Sequence, residues 1–436
     1  MLFASTKNKN MVATYAQAIF KGLSDDGALF HPIDDINLAD LYNGFTVQSS
    51  FLDMASSITA SLLKDEVSEN QAKQICQRAF TFEPVLKKLD EGLSILELFH
   101  GPSAAFKDFG ASFLASSMEC FLENQNGRAL ILTATSGDTG SAVAKAFVGK
   151  KNIDVVILYP SKRVSPLQEK QLTTLGQNIK AMEVLGSFDD CQRIVKEAFQ
   201  DQQLKKEYNL TSANSINVGR LIPQSFYYVW AWSRLKEFTN PKDIIFCVPS
   251  GNFGNLTAAL LAKKWGLEIG GTIAATNRNC VVPDYLASGV YSPRTSVQTP
   301  SNAMDVGAPS NFERMVALYP EVEKIREDIV GYYFDDEATI NAINECYKKY
   351  SYMVCPHTAV GILAAKKYLN MEENKGKQVV SLSTAHPGKF LEIVKEATGI
   401  FPPLPDCLEQ LKNLEKQSTV IEPTLDDLVA NLKKVI

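Results

Sequence analysis

Lys107 has the setting of a reactive amine. It stands in His100-Gly101-Pro102-Ser103-Ala104-Ala105-Phe106-Lys107-Asp108-Phe109-Gly110, between two phenylalanines and beside an acid. Such surroundings can tune a lysine pKa and make it a nucleophile or a base. The competing reading is an exposed lysine at a helix start. A second segment, Ser250-Gly251-Asn252-Phe253-Gly254-Asn255, follows the apolar run 244–248 and precedes an Ala- and Leu-rich stretch. Two glycines let backbone approach a ligand, and free N–H groups at a helix start favour an anion such as a phosphate monoester. A plain strand-to-helix turn is the alternative. The spacing is not Gly-x-Gly-x-x-Gly, and no Gly-x-x-x-x-Gly-Lys-Ser/Thr occurs, so dinucleotide and nucleoside-triphosphate readings lose ground.

Two further segments carry polar groups in unusual density. Thr133-Ala134-Thr135-Ser136-Gly137-Asp138-Thr139-Gly140-Ser141 has six hydroxyl or carboxylate side chains around two glycines. One or two of these serve as helix caps; the rest could hold a carboxylate or phosphate. Asn214-Ser215-Ile216-Asn217-Val218-Gly219-Arg220 offers amides, a hydroxyl and a guanidinium able to grip a phosphate bidentately. A helix cap with a surface arginine is an equal reading of that segment.

Strands and helices must place these turns. Ala129–Ala134, Val155–Tyr159, Ile244–Val248 and Val379–Leu382 read as buried strands, most of them entering a turn and then a helix-like run. Pro160 ends one strand and Pro166 can open the next helix, while Ser187 with Asp190 resembles a capping box. Repeated strand-turn-helix units predict an α/β fold with a largely parallel sheet, in which ligands bind where strands end and helices begin. The first 95 residues read mostly helical. Val12, Tyr15, Ala16, Ile19 and Phe20 form one apolar face, Gly22 stops the helix, and Gly92 marks a boundary. The expected division is 1–95, a helical region; 96–400, an α/β core of two interleaved subdomains; and 401–436, a helical extension set off by Pro402, Pro403 and Pro405.

Composition narrows the class. The 436 residues suit two or three domains, and 44 basic against 49 acidic side chains give a net charge of −5 with no basic tract. Nucleic acid is therefore not an expected partner. Eight cysteines without a Cys-x-x-Cys pair read as reduced thiols, and four scattered histidines argue against a metal site. No apolar run approaches 18 residues and no signal-peptide pattern is visible, so a cytoplasmic protein is expected for a bacterial source.

Taken in order, these segments resemble the threonine synthase family of the longer bacterial and fungal type. Leu98–Gly110 resembles its cofactor-lysine signature. Thr133–Ser141, Asn214–Arg220, Ser250–Asn255, Ser383-Thr384-Ala385-His386-Pro387 and the early Gly22–Phe30 resemble further family motifs. The match runs from near the N-terminus to about residue 400. Ser103 replaces the threonine of many members and keeps the hydroxyl. The resemblance implies the tryptophan-synthase-β type of fold and pyridoxal 5′-phosphate held as a Schiff base on Lys107. It implies conversion of O-phospho-L-homoserine and water to L-threonine and phosphate, the last step of threonine biosynthesis. The cofactor phosphate would lie on Ser250, Gly251, Asn252, Phe253, Gly254 and Asn255, with Thr384 at the pyridine nitrogen and Asp138 near the cofactor. Ser136, Thr139, Asn214, Ser215 and Arg220 would bind substrate. Monomer and homodimer are both open. A serine/threonine dehydratase of the same fold, a catalytically silent relative and a nucleotide-binding dehydrogenase are the rival readings. The second anion site, intact Lys107 and the missing dinucleotide fingerprint speak against each in turn.

Overall fold

The computed structural model describes residues 1–123, 127–135 and 137–435. A small antiparallel sheet opens the chain: β1 (Leu2–Ser5) pairs with β2 (Val12–Thr14) and β3 (Phe30–Pro32). Helix Tyr15–Lys21 follows, with Thr14 and Gln17 closing a capping box and Gly22 at its end. Val12, expected on that helix, belongs instead to β2, because the Thr14 cap fixes the helix start two residues later.

β4 (Val85–Asp90) and β5 (Leu93–Glu97) form a hairpin that begins the larger sheet. The chain then leaves to build the smaller sheet from β6 (Ala129–Ala134), β7 (Ile153–Pro160), β8 (Ile179–Val184) and β9 (Leu210–Thr211). It returns with β10 (Ile244–Pro249), β11 (Gly271–Thr276), β12 (Ile329–Tyr333) and β13 (Gln378–Ser383), and β14 (Thr419–Ile421) finally joins the smaller sheet. The orders are β12-β11-β10-β13-β5-β4 and β14-β8-β7-β6-β9. Every pairing in these two sheets is parallel except β4 with β5. This is the expected α/β class with parallel-dominated sheets. Gly92 takes a φ of +68° in the β4–β5 turn, so it makes a hairpin inside the sheet, and residue 95 lies within β5.

The inner parallel strands, such as β6 and β10, are buried on both faces, which is why they read as unbroken apolar runs. Ile244, Phe246 and Val248 of β10 face the main core, while Ile245 and Cys247 face a second cluster under helices Asp336–Tyr350 and Pro356–Leu369. In the smaller sheet Ile131, Val155 and Ile157 share the main core. Leu130, Leu132, Val156 and Leu158 pack instead with helices Phe188–Gln200 and Leu425–Val435. One face of each sheet thus feeds the same apolar body. The helix Lys107–Glu123 runs within it, with Phe109, Phe113, Leu114 and Met118 fully buried. No two cysteines form a disulfide, and among the described residues no helix is long and apolar enough to cross a membrane.

Candidate active site

Lys107 is the first residue of its helix, and the loop before it is stitched to the end of β13. Phe106 N–H donates to Thr384 O (2.8 Å), His386 N–H to Ala104 O (3.1 Å), and Ala105 bridges Ala385. Ala104 adopts a φ of +56° to make the turn. Asp108 folds the same loop from beneath: Ser103 N–H donates to its Oδ2 (2.9 Å), and burial pushes its carboxyl up to about 6. These backbone bonds fix the start of the Lys107 helix relative to Thr384.

The Lys107 amine faces a cluster of ionisable groups from four other elements. Its Nζ lies 3.7 Å from Asp138 Oδ2, at the first turn of helix Asp138–Phe147, and 5.2 Å from the Phe106 ring centre. Asp138 Oδ1 lies 2.6 Å from Lys389 Nζ, an ion pair outside the angle of a directed hydrogen bond. Burial lowers the Lys107 pKa; Lys389 and Arg220 add to this, while Asp138 opposes it. Burial would raise the Asp138 carboxyl, but Lys389 and then Lys107 hold it far below the carboxylate range. His357 is kept neutral, its pKa lowered to about 4 by burial, and it accepts from Ala303 N–H (3.2 Å).

Ala303 leads to the glycine turn. A Cβ on Gly251 would meet Met304 Cα at 2.7 Å and Ala303 O at 2.8 Å, so this glycine admits the 303–304 chain against the turn. Phe253, at φ +59°, turns the chain into helix Gly254–Lys264, whose first-turn N–H groups have no acceptor within the helix. Asn252 is a tie. Its Nδ2 donates to Ser215 Oγ (2.5 Å), its Oδ1 accepts from Ser310 N–H, and its carbonyl accepts from Asn311. Asn255 Oδ1 accepts from both Tyr227 and Tyr228 hydroxyls, leaving its buried Nδ2 without a partner. Ser250 Oγ bonds Val248 O.

The remaining expected residues divide by how much of them local structure consumes. Thr133 donates to Asn214 Oδ1 (2.5 Å), joining two of the polar segments. Thr135 accepts from Gly137 and Gly140 N–H and Ser141 donates to Gly137 O, so the local backbone engages both hydroxyls, while the helix N-cap itself is Gly137. Thr139 is half-buried on the same helix. Asn217 is the helix cap of its segment, accepting from Gly219 N–H. Arg220 is no surface arginine: only 2% exposed, it donates from Nη1 to Ala213 O (2.7 Å) and keeps an unpartnered Nε. Ser136 lies outside the described residues. Lys389 and His357 are the charged and titratable members that the sequence reading missed. Lys389 follows the Ser383–Pro387 segment by two residues, so reading that segment a little further would have reached it.

The donor set suits a phosphate-bearing aldehyde: an amine with a lowered pKa, an open helix start, and orphaned donors on Arg220 and Asn255. No group of three or more His, Cys, Asp or Glu able to hold a metal occurs among the described residues. Residues 81–385 match the family described as pyridoxal-phosphate dependent enzyme, and the chain is an enzyme of that class. Residues 358–436 match the C-terminal part of threonine synthase. The chain is 40% identical over 418 residues to threonine synthase of Escherichia coli, covering 95% of each, and 33% identical over 498 aligned positions to that of Saccharomyces cerevisiae. It superposes on the solved E. coli threonine synthase with a TM-score of 0.89 at 38% identity, over 100% of both chains. On the PLP-bound threonine synthase of Brucella melitensis the TM-score is 0.93 at 32% identity, covering 100% of this chain and 99% of that one. The chain belongs to the threonine synthase family. Maize serine racemase, at 18% identity and a TM-score of 0.55, shares the fold.

Proposed function

We propose that this site converts O-phospho-L-homoserine and water to L-threonine and phosphate, with Lys107 as the covalent anchor of pyridoxal 5′-phosphate. The observation that carries this reading is the half-buried, charge-surrounded Lys107 amine at the first turn of its helix. When bound, the cofactor supplies an electron sink for the carbanion chemistry. The chain's own residues do the rest. Lys107 holds the cofactor and, once released by the substrate amine, moves the proton at substrate Cα and then at Cβ. The turn Ser250, Gly251, Asn252, Phe253, Gly254 and Asn255 holds the cofactor phosphate, chiefly through backbone N–H groups at the helix start. Thr384 meets the pyridine nitrogen with a neutral hydroxyl, and Asp138 faces the cofactor hydroxyl.

Substrate carboxylate and phosphate share Ser136, Thr139, Asn214, Ser215 and Arg220. The unpartnered Nε of Arg220 and its burial support a desolvated anion contact, where a charge-assisted bond is strongest. We further propose the division 1–95, 96–400 and 401–436, a cytoplasmic location, and action as a monomer or homodimer on this small-molecule substrate.

The test is phosphate release from O-phospho-L-homoserine by the purified full chain, together with borohydride trapping and peptide mapping. We expect the label on Lys107 and a loss of turnover of roughly 10²–10⁴-fold in Lys107→Ala. A label on another lysine, or turnover that survives this substitution, would overturn the assignment.

A further inference from the structure

Two lysines converge on one carboxylate at this site, and their geometry is unequal. Lys389 Nζ is 2.6 Å from Asp138 Oδ1 and also donates to Ser103 O (2.9 Å), on the loop that carries Lys107. Its side chain is 1% exposed. Lys107 Nζ stands further off, at 3.7 Å from the other carboxylate oxygen, with 16% of its side chain exposed. Lys389 is therefore held in place by two partners at once, while Lys107 has one long contact and room to move.

We propose that Lys389 is a positioning residue that serves as the standing counter-charge of Asp138, so that the Lys107 amine stays free to react. The inference rests on Lys107 being the cofactor anchor. The electrostatics follow from counting charges. Asp138 carries one negative charge and Lys389 neutralises it. The other groups acting on Lys107 are Arg220 on Val218–Leu221, which is cationic, and His357 on Pro356–Leu369, which is kept neutral by burial. Asp108, on the Lys107 helix, is coupled instead to Lys389 and Arg220, and its Oδ2 accepts from Ser103 N–H. Neither Arg220 nor His357 favours a second ammonium. Without Lys389, the nearest cation available to Asp138 would be Lys107, and an amine that pairs with a buried carboxylate keeps its proton. The same pairing explains how an acid is tolerated where two anions are to be bound: Asp138 and Lys389 together present no net charge to them.

The reaction that reads this out is capture of the cofactor aldehyde. The Lys107 lone pair attacks the aldehyde carbon, a C=N bond forms, and water carries away the carbonyl oxygen. Only the unprotonated amine does this. The rate of capture of added pyridoxal 5′-phosphate by the full chain, followed by absorbance across pH, reports the protonation of Lys107. Lys389→Met should move the midpoint of that profile upward by at least one pH unit, equal to about tenfold slower capture below the midpoint. Asp138→Asn should move it downward. In the Asp138→Asn background, Lys389→Met should shift the midpoint by less than half as much as it does alone. If Lys389→Met does not fold, Lys389→Gln, which removes the charge but keeps a donor for Ser103 O, takes its place in both backgrounds. An unshifted profile in Lys389→Met, an unshifted one in Asp138→Asn, or an equally large Lys389→Met effect in both backgrounds would each overturn the inference. Borohydride mapping separates this from failure of the anchor assignment, since a label on another lysine would remove Lys107 itself and this inference with it.

Discussion

At Glu97 a single buried carboxylate gathers three donors. Tyr352 OH (2.6 Å) and Lys87 Nζ (2.8 Å) meet Oε1, and His100 Nε2 lies 2.8 Å from Oε2. Burial alone would raise its pKa, but the bonds from His100, Lys87 and Tyr352 outweigh it and bring the value from the ordinary 4.5 to about 2. A carboxylate depressed in the folded state stabilises the fold above its unfolded pKa, and this contribution is lost as pH falls through the folded one. The window is therefore about pH 5 down to about 2, and the contribution about 3 kcal/mol. Glu97→Gln should lower the urea midpoint at pH 7 and flatten the acid side of the stability profile. An acid limb as steep as wild type would show that Glu97 is not its source. At this scale the candidate residues stood out where unusual neighbours surround them: Lys107 between two phenylalanines, the glycine turn, the crowded hydroxyls. Lys389 was not. A lysine after His386-Pro387-Gly388 reads as an ordinary surface charge, and its partner is 251 positions away in the chain (389 − 138).

The elements hold the site through one close approach. A Cβ on Gly110 would stand 2.7 Å from Arg220 O, so the helix carrying Lys107 and the short helix carrying Arg220 touch backbone to backbone. Gly110→Ala should push them apart, cost about 1–3 kcal/mol in urea unfolding, and lower turnover, because Lys107 is only three residues away. Unchanged stability and turnover would mean that this contact yields at no cost. Element boundaries were readable where side-chain chemistry fixes them. Ser165 caps the helix that Pro166 opens, and Ser187 with Asp190 forms the expected capping box. Gly92 sits in a hairpin turn, and a hairpin turn and a segment boundary call for the same residue, so its type alone does not distinguish them. β9 and β14, of two and three residues, are too short for any periodicity to mark.

Across the whole molecule, Arg314 joins parts far apart in sequence. Buried to 1% exposure, it donates from Nε to Phe30 O (2.8 Å), from Nη2 to Ile216 O (2.6 Å) and from Nη1 to Asn311 Oδ1 (2.6 Å). The N-terminal sheet, the substrate-binding candidates at 214–220 and the segment beside the glycine turn are thus tied by one guanidinium. Arg314→Met takes the donor from these three acceptors and from Ser215 O, and should cost about 3 kcal/mol. Limited proteolysis should then cut faster within the first 35 residues. Wild-type resistance and stability would show that packing alone holds these parts. The alternation of strand and helix made the α/β class legible. The interleaving of two sheets was less so, because which sheet a strand joins is settled by pairings between residues hundreds of positions apart.

That interleaving has a consequence for synthesis. β8 acquires its outer neighbour only when β14 arrives, with Thr419 opposite Met182 and Ile421 opposite Val184. Until the ribosome has made that late segment, the edge of β8 stands open with unpaired N–H and C=O groups beside apolar side chains. Such an edge can pair with another nascent chain. A ribosome stalled, or a message cut short, just before residue 419 would release a protein whose smaller sheet has all its inner strands and one sticky rim. Residues 419–421, far from the chemistry in sequence, thus cover the end of β8 that would otherwise stand open.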